Sequence, residues 1–239
     1  MGTFHSLFAR ILRREAEVLG FPKTFTIYDT LDSRSLVKTI VREFNLDEKI
    51  YKPAEVFGRI SAAKNSLVTP DAYLNSGEYQ VRDQMSKRPR LGEVYDRYVK
   101  RCKQFGAMDF DDLLLQTNLL FRDHPAVLEK YQDAFDFVLV DEYQDTNYSQ
   151  YLIIKKLSEL HRNICVVGDD AQSIYSFRGA RIENILNFKN DYPDYRLFKL
   201  EQNYRSTQNI VNAANSVIKK NRGQISKEVF SRNEKGEVI

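Results

Sequence analysis

Two adjacent carboxylates, Asp141 and Glu142, follow directly on the apolar run 135–140 (Phe-Asp-Phe-Val-Leu-Val). A pair of acids at the mouth of a sheet can divide the work of phosphoryl transfer: the first holds Mg²⁺ through its water shell, and the second reaches the water that attacks a terminal phosphate. Taken alone, the same pair better suits a loop that caps the following helix. A second apolar run, 164–167, leads into Gly168-Asp169-Asp170-Ala171-Gln172-Ser173-Ile174-Tyr175-Ser176-Phe177-Arg178-Gly179-Ala180. There Gln172 can sense a phosphate oxygen, while Tyr175, Phe177 and Arg178 offer the stacking planes and the cation that single-stranded nucleic acid requires. The plain alternative is a turn followed by aromatic core residues. A third run, 196–200, leads into Gln202-Asn203-Tyr204-Arg205-Ser206, where Tyr204 could stack on a purine and Arg205 could neutralise charge at a transferred phosphoryl group. Its alternative is a capped helix start with a surface arginine. Each reading is weak singly; together they are complementary parts of one phosphoryl-transfer site, each placed after a strand.

The elements that must position these residues are legible as a pattern. Strand candidates 135–140, 164–167 and 196–200 alternate with helical stretches: Phe110 to Phe121 with Asp109 as its cap, Ser149 to Leu160, and Thr207 to Lys220 capped by Ser206 or Thr207. That alternation predicts an α/β fold with a mostly parallel sheet, whose ligands sit beyond the carboxyl ends of the strands. At the start of the chain Phe4, Leu7, Phe8, Ile11, Leu12 and Val18/Leu19 recur at helical spacing until Gly20 and Pro22 stop them. Residues 23–105 read as helical, broken at Pro53, Pro70, Gly77 and Pro89, with no strong strand signal between.

Composition narrows the class. At 239 residues and 42% hydrophobic, the chain can bury a substantial core. No apolar run approaches the roughly 20 residues a bilayer requires, and no signal core opens the chain, so a cytoplasmic location and no membrane partner are expected. Cys102 and Cys165 have no paired spacing and are expected to be reduced thiols. The net charge of +3 argues for no partner by itself, but basic and acidic residues are segregated. Residues 81–105 carry eight Lys/Arg against three acids, and 109–145 carry ten acids against two bases.

Asp141-Glu142-Tyr143-Gln144-Asp145-Thr146-Asn147, the segment 168–180 and Leu200-Glu201-Gln202-Asn203-Tyr204-Arg205-Ser206-Thr207 resemble helicase motifs II, III and IV of the UvrD/PcrA/Rep family. Gly2-Thr3-Phe4-His5-Ser6 is similar to that family's Thr-x-His motif, and the likeness continues through Ile60 to Asn65 and Asp109 to Leu114. The resemblance implies an ATP-driven DNA motor of two RecA-like (P-loop NTPase) domains, moving 3′ to 5′ on single-stranded DNA to unwind duplex. It implies that Asp141 coordinates Mg²⁺, that Glu142 is the catalytic base, that Gln172 and Arg205 sense the γ-phosphate of ATP, and that Tyr204 packs on the adenine. Thr3, His5, Tyr175, Phe177 and Arg178 would line the DNA track. Phe177 stands where well-known members have Trp, which keeps a π-face with less stacking area. By the same resemblance, residues 1–22 and 106–193 form part of the first motor domain, 23–105 an inserted all-helical subdomain whose basic segment meets the duplex junction, and 194–239 the start of the second motor domain.

No Gly-x-x-x-x-Gly-Lys-[Ser/Thr] occurs, and Glu234-Lys235-Gly236 has neither the order nor a preceding strand. The implied sheet is therefore incomplete, and the chain reads as a piece of a longer helicase whose remaining segments supply the phosphate loop. Alone it is expected not to hydrolyse ATP, since phosphoryl transfer depends chiefly on positioning and electrostatics. Two other readings stand beside this one, a stand-alone single-stranded-DNA-binding module and a part of a helicase–nuclease; a protein-interaction scaffold using the helical insertion is a third.

Overall fold

Capped helices organise most of the chain, and their caps are written into the sequence. The computed structural model describes residues 1–221 and 223–238, and for Arg178 the backbone alone, so the expected DNA contact by that side chain lies outside the described residues. In chain order the described elements are α1 (Phe4–Arg14), β1 (Thr26–Tyr28), α2 (Thr30–Glu43), α3 (Pro53–Asn65), α4 (Pro70–Leu74), α5 (Gly77–Met85), α6 (Leu91–Gln104), β2 (Ala107–Asp109), α7 (Phe110–Asp123) and α8 (Pro125–Ala134). There follow β3 (Val138–Val140), α9 (Tyr148–Ser158), β4 (Ile164–Val166), α10 (Glu183–Leu186), α11 (Phe188–Asp191), β5 (Gln202–Asn203), α12 (Gln208–Ile218) and β6 (Phe230–Ser231). The chain divides into two compact units: residues 1–138 with 147–165, and residues 139–146 with 166–239. No helix of the described residues is long and apolar enough to cross a membrane.

In the first unit, Thr3 caps α1 by accepting from the Ser6 N–H, and Phe8, Ile11 and Leu12 bury one face. Gly20 then turns the chain in the left-handed region (φ 71°), where a side chain would be strained. Asp29 with Asp32, Asp109 with Asp112, and Asn147 with Gln150 form reciprocal capping boxes on α2, α7 and α9. Pro53 and Pro70 open α3 and α4, where a missing N–H costs nothing. One apolar cluster joins α1, α7, α8 and α9 through Leu12, Leu120, Phe121, Tyr131 and Ile153; the other joins α2, α3, α4 and α6 around Ile40, Ile60, Tyr73, Val94 and Tyr98. Cys102 belongs to the second cluster, where burial pushes its thiol up to about 12.

The helical reading of 23–105 holds for α2 to α6 but misses β1. Thr26–Tyr28 pairs in parallel with Ala107–Asp109, and three residues are too few to show alternation in sequence. This pairing places Asp109 at the head of α7, beside a fully buried Lys64 from α3. The ammonium lies 2.7 Å from Asp109 Oδ2 and 2.8 Å from Asp112 Oδ1, and the Tyr98 hydroxyl donates to Asp109 Oδ2 at 2.8 Å. Burial opposes ionisation of Asp109, but Lys64 and the donated hydrogen bonds outweigh it and hold the carboxyl below its usual range. For Asp112, burial and the charge of Asp109 prevail, and its carboxyl is pushed up to about 7.

Between its ordinary 3.8 and about 7, Asp112 in the folded chain holds a proton that the unfolded chain has released. Its contribution to stability therefore falls as pH rises through that window and is level above it. Asp112→Asn keeps an acceptor for the Asp109 N–H and removes this titration. The melting temperature of the variant minus that of the unsubstituted chain is expected to rise from about pH 4 to about pH 7 and then flatten; a difference constant across that range is the contrary result.

In the second unit, Val167 N donates to Val140 O at 2.8 Å and Tyr143 N to Val167 O at 2.9 Å, which fixes the end of β3 and the turn after it against the residue that follows β4. The third expected strand is absent at 196–200: that stretch is irregular, with Phe198 80% and Leu200 87% exposed. A buried-type strand needs ladder partners, and none of the described strands pairs with it. The strand forms two residues later instead, β5 pairing in parallel with β6. The helix expected from Thr207 is α12, with Thr207 at its N-cap position.

Candidate nucleotide and DNA site

The chain leaves β3 through a strained residue. Glu142 sits in the left-handed region (φ 50°, ψ 42°), a conformation costing a residue with a Cβ on the order of 1–2 kcal/mol. Three contacts hold it there. The Glu142 N–H donates to Asp141 Oδ1 at 2.9 Å, Gln144 Nε2 donates to Glu142 Oε2 at 2.8 Å, and a 3₁₀ turn, Tyr143–Asp145, follows. Asp141 and Glu142 are both exposed.

Gln144 was not among the residues singled out from sequence, yet it is the hinge of the site. Its side chain is buried, donating from Nε2 to Glu142 and accepting the Asp169 N–H on Oε1 at 3.0 Å. Such an approach needs Gly168: a Cβ there would stand 2.5 Å from Gln144 Oε1. Asp169 then accepts from Ala171 N at 3.0 Å and from Gln172 Nε2 at 2.9 Å. Glu142 and Gln172, far apart in sequence, are thus joined by three hydrogen bonds through Gln144 and Asp169. The sequence signal that could have found Gln144 is the glycine directly after the second strand, a mark of close backbone approach.

Beyond Gln172, Tyr175 and Phe177 form a tilted ring pair with centroids 6.0 Å apart, and Phe177 is 76% exposed. Tyr204 and Arg205 lie on a separate loop. Asn203 Oδ1 accepts from both Arg205 N and Ser206 N at 2.8 Å, and the Ser231 hydroxyl on β6 donates to Ser206 O at 2.7 Å. This turn leaves the Tyr204 ring 78% exposed, its hydroxyl donating to Gln202 Oε1. Thr3 and His5 belong to the first unit. Thr3 is occupied as the α1 cap, and the His5 ring meets Phe110 edge-on at 5.7 Å. Burial lowers the His5 pKa, only partly countered by the Asp111 charge, so the ring is neutral at neutral pH.

Among the described residues no group of three or more His, Cys, Asp or Glu is arranged as a metal cage. An exposed hard-oxygen carboxylate is nonetheless a donor that Mg²⁺ uses, because that ion keeps several waters and takes its other ligands from phosphates. Asp141 fits such a half-site, with Glu142 beside it.

Comparison with known proteins finds similarity along the length of the chain. Residues 1–193 match the UvrD/REP helicase N-terminal domain, and residues 198–239 match the UvrD-like helicase C-terminal domain. A protein of Leuconostoc citreum named ATP-dependent DNA helicase PcrA is 44% identical over 239 residues, 100% of this chain and 31% of the relative. Proteins of the same name from Staphylococcus aureus (strain NCTC 8325 / PS 47) and Bacillus subtilis (strain 168) are each 46% identical, over 100% and 99% of this chain and 32% and 31% of their own lengths. The chain thus spans about a third of the length of the curated relatives it matches. With both domain models matched in order, the chain belongs to the UvrD/REP helicase family.

Proposed function

We propose that this chain is the part of an ATP-dependent DNA helicase that carries the water-activating and phosphate-sensing half of the ATPase site together with part of the DNA track. The observation that carries the proposal is the hydrogen-bonded path from Glu142 through Gln144 and Asp169 to Gln172, which ties a base candidate to a phosphate-sensor candidate on two different strand ends. Asp141 holds Mg²⁺, which when bound neutralises charge on the phosphate oxygens. Glu142, held by Gln144, accepts the proton of the attacking water; Gln172 and Arg205 donate to the terminal phosphate; Tyr204 stacks on the adenine. Thr3, His5, Tyr175, Phe177 and Arg178 meet single-stranded DNA, where exposed rings serve as base platforms.

In this reading residues 1–22 and 106–193 are part of a RecA-like motor domain with an incomplete sheet, 23–105 its helical insertion, and 194–239 the start of a second motor domain. The protein acts in the cytoplasm, moves 3′ to 5′, and relies on a phosphate loop outside residues 1–239. The test is steady-state ATP turnover with and without single-stranded DNA, together with displacement from duplexes bearing a 3′ or a 5′ single-stranded tail. The longer polypeptide is expected to show DNA-stimulated turnover and to unwind only the 3′-tailed duplex, while residues 1–239 alone turn over no ATP. Turnover by residues 1–239 alone would overturn the half-site; DNA binding by the longer polypeptide without turnover would make it a binding module instead.

A further inference from the structure

Asp169 is held from two sides. Its Oδ2 accepts from Gln172 Nε2 at 2.9 Å, while its Oδ1 accepts from Ala171 N at 3.0 Å and forms an ion pair with Lys227, from the stretch between α12 and β6. The neighbouring Asp170 is buried and fixes the same stretch a second time: its Oδ2 accepts the Ile225 N–H at 2.7 Å, and its Oδ1 lies 3.4 Å from Lys227 Nζ. Residues 225–227 are therefore stapled onto the start of the 169–180 segment through both backbone and side chain. Lys227 is itself mostly buried there, its side chain 21% exposed.

The consequence falls on Gln172. A carboxylate oxygen can receive only the NH₂ end of a glutamine amide, so Asp169 decides which way round the amide stands. Because the amide is planar, fixing one of its two N–H bonds on Asp169 also fixes the direction of the other. For this to work Asp169 must stay ionised and still although it is partly buried. Burial raises its pKa, but the hydrogen bonds from Lys227 and Gln172 outweigh burial and keep it below the usual carboxylate range. Without a cation, a half-buried carboxylate has every reason to turn toward water or take a proton.

We infer that Lys227 is a positioning residue for ATP hydrolysis: through Asp169 it orients the Gln172 amide so that its second N–H is presented to the terminal phosphate. The inference rests on the reading of Gln172 as the phosphate-sensing group. It gives the post-α12 stretch, which the sequence pattern leaves without a role, a direct hold on the sensor.

The experiment is a set of variants in the longer helicase: Lys227→Ala, Lys227→Arg, Asp169→Asn, Gln172→Ala, and Lys227→Ala combined with Gln172→Ala. DNA-stimulated kcat is measured beside the affinity for a fluorescent ATP analogue and the melting temperature. Lys227→Ala is expected to lower kcat about 10- to 100-fold, as loss of precise placement does, with affinity changed by less than about threefold. Lys227→Arg should restore most of the rate, and the double variant should be no slower than Gln172→Ala alone, because the lysine works through that amide. Independent, multiplying losses in the double variant would overturn the inference, as would a Lys227→Ala enzyme with unchanged kcat. If Lys227→Ala does not fold, Asp169→Asn, singly and with Gln172→Ala, decides in the same way. A Gln172→Ala enzyme with full activity sinks the sensor reading itself, whereas a slow Gln172→Ala beside a normal Lys227→Ala sinks only the role of the lysine.

Discussion

Glu142→Gln in the longer helicase is expected to reduce DNA-stimulated ATP turnover by about 10²- to 10⁴-fold, the usual worth of a general base, while leaving nucleotide affinity nearly unchanged. The substitution suits the question because it alters little else. Glutamine has the same shape, its carbonyl oxygen can still accept from Gln144 Nε2, and the left-handed backbone at position 142 is held by the Asp141 side chain and the following turn rather than by the charge. What disappears is the group that can take a proton from water. Asp141→Asn should behave differently, weakening Mg-ATP binding as well as rate, because it removes a charge from the ligand set rather than a proton acceptor. Turnover by Glu142→Gln within a factor of about three of the unsubstituted enzyme would remove Glu142 from the chemistry.

The two strands that position Asp141 and Gln172 are legible because each is an apolar run ended abruptly by acids or glycine. The caps are legible because Asp109 with Asp112, three residues on, is a local pattern. The links between those elements are not local and so were hidden. Gln144 reads as one more polar residue in its motif; only the folded chain brings its amide between Glu142 and the Asp169 N–H. The run 196–200 reads as a strand because pattern reports the wish for burial and not the partner that would satisfy it. In sequence Lys64 reads as one charge in a helical stretch, although Val56, Ile60 and Lys64 recur every fourth residue and share a helix face whose other members are wholly buried. A lysine on such a face must meet a carboxylate, and that signal was available.

Lys64 also carries the largest stability prediction. Replacing it with methionine, which keeps most of the stem and removes the ammonium, is expected to cost about 3–5 kcal/mol, as breaking a buried ion pair generally does. For a chain of this size that lowers the melting temperature by about 6–20 °C. The cost arises because Asp109 and Asp112 stay behind, one charge short and out of reach of water; Asp112 can take a proton, but Asp109 then depends on the Tyr98 hydroxyl and the Asp112 N–H alone. Neutralising both acids as well, in Lys64→Met with Asp109→Asn and Asp112→Asn, should recover much of the loss, since no uncompensated charge is then buried. A single variant melting within about 2 °C of the unsubstituted chain would mean that the triad contributes little. The damage also reaches the candidate DNA track: Asp109 is the cap of α7, and the next residue, Phe110, is the ring against which His5 stands. A frayed α7 start therefore removes the packing that keeps His5 in place, so loss of stability and weakening of single-stranded DNA binding are expected to appear together in Lys64→Met and to be restored together by the triple variant.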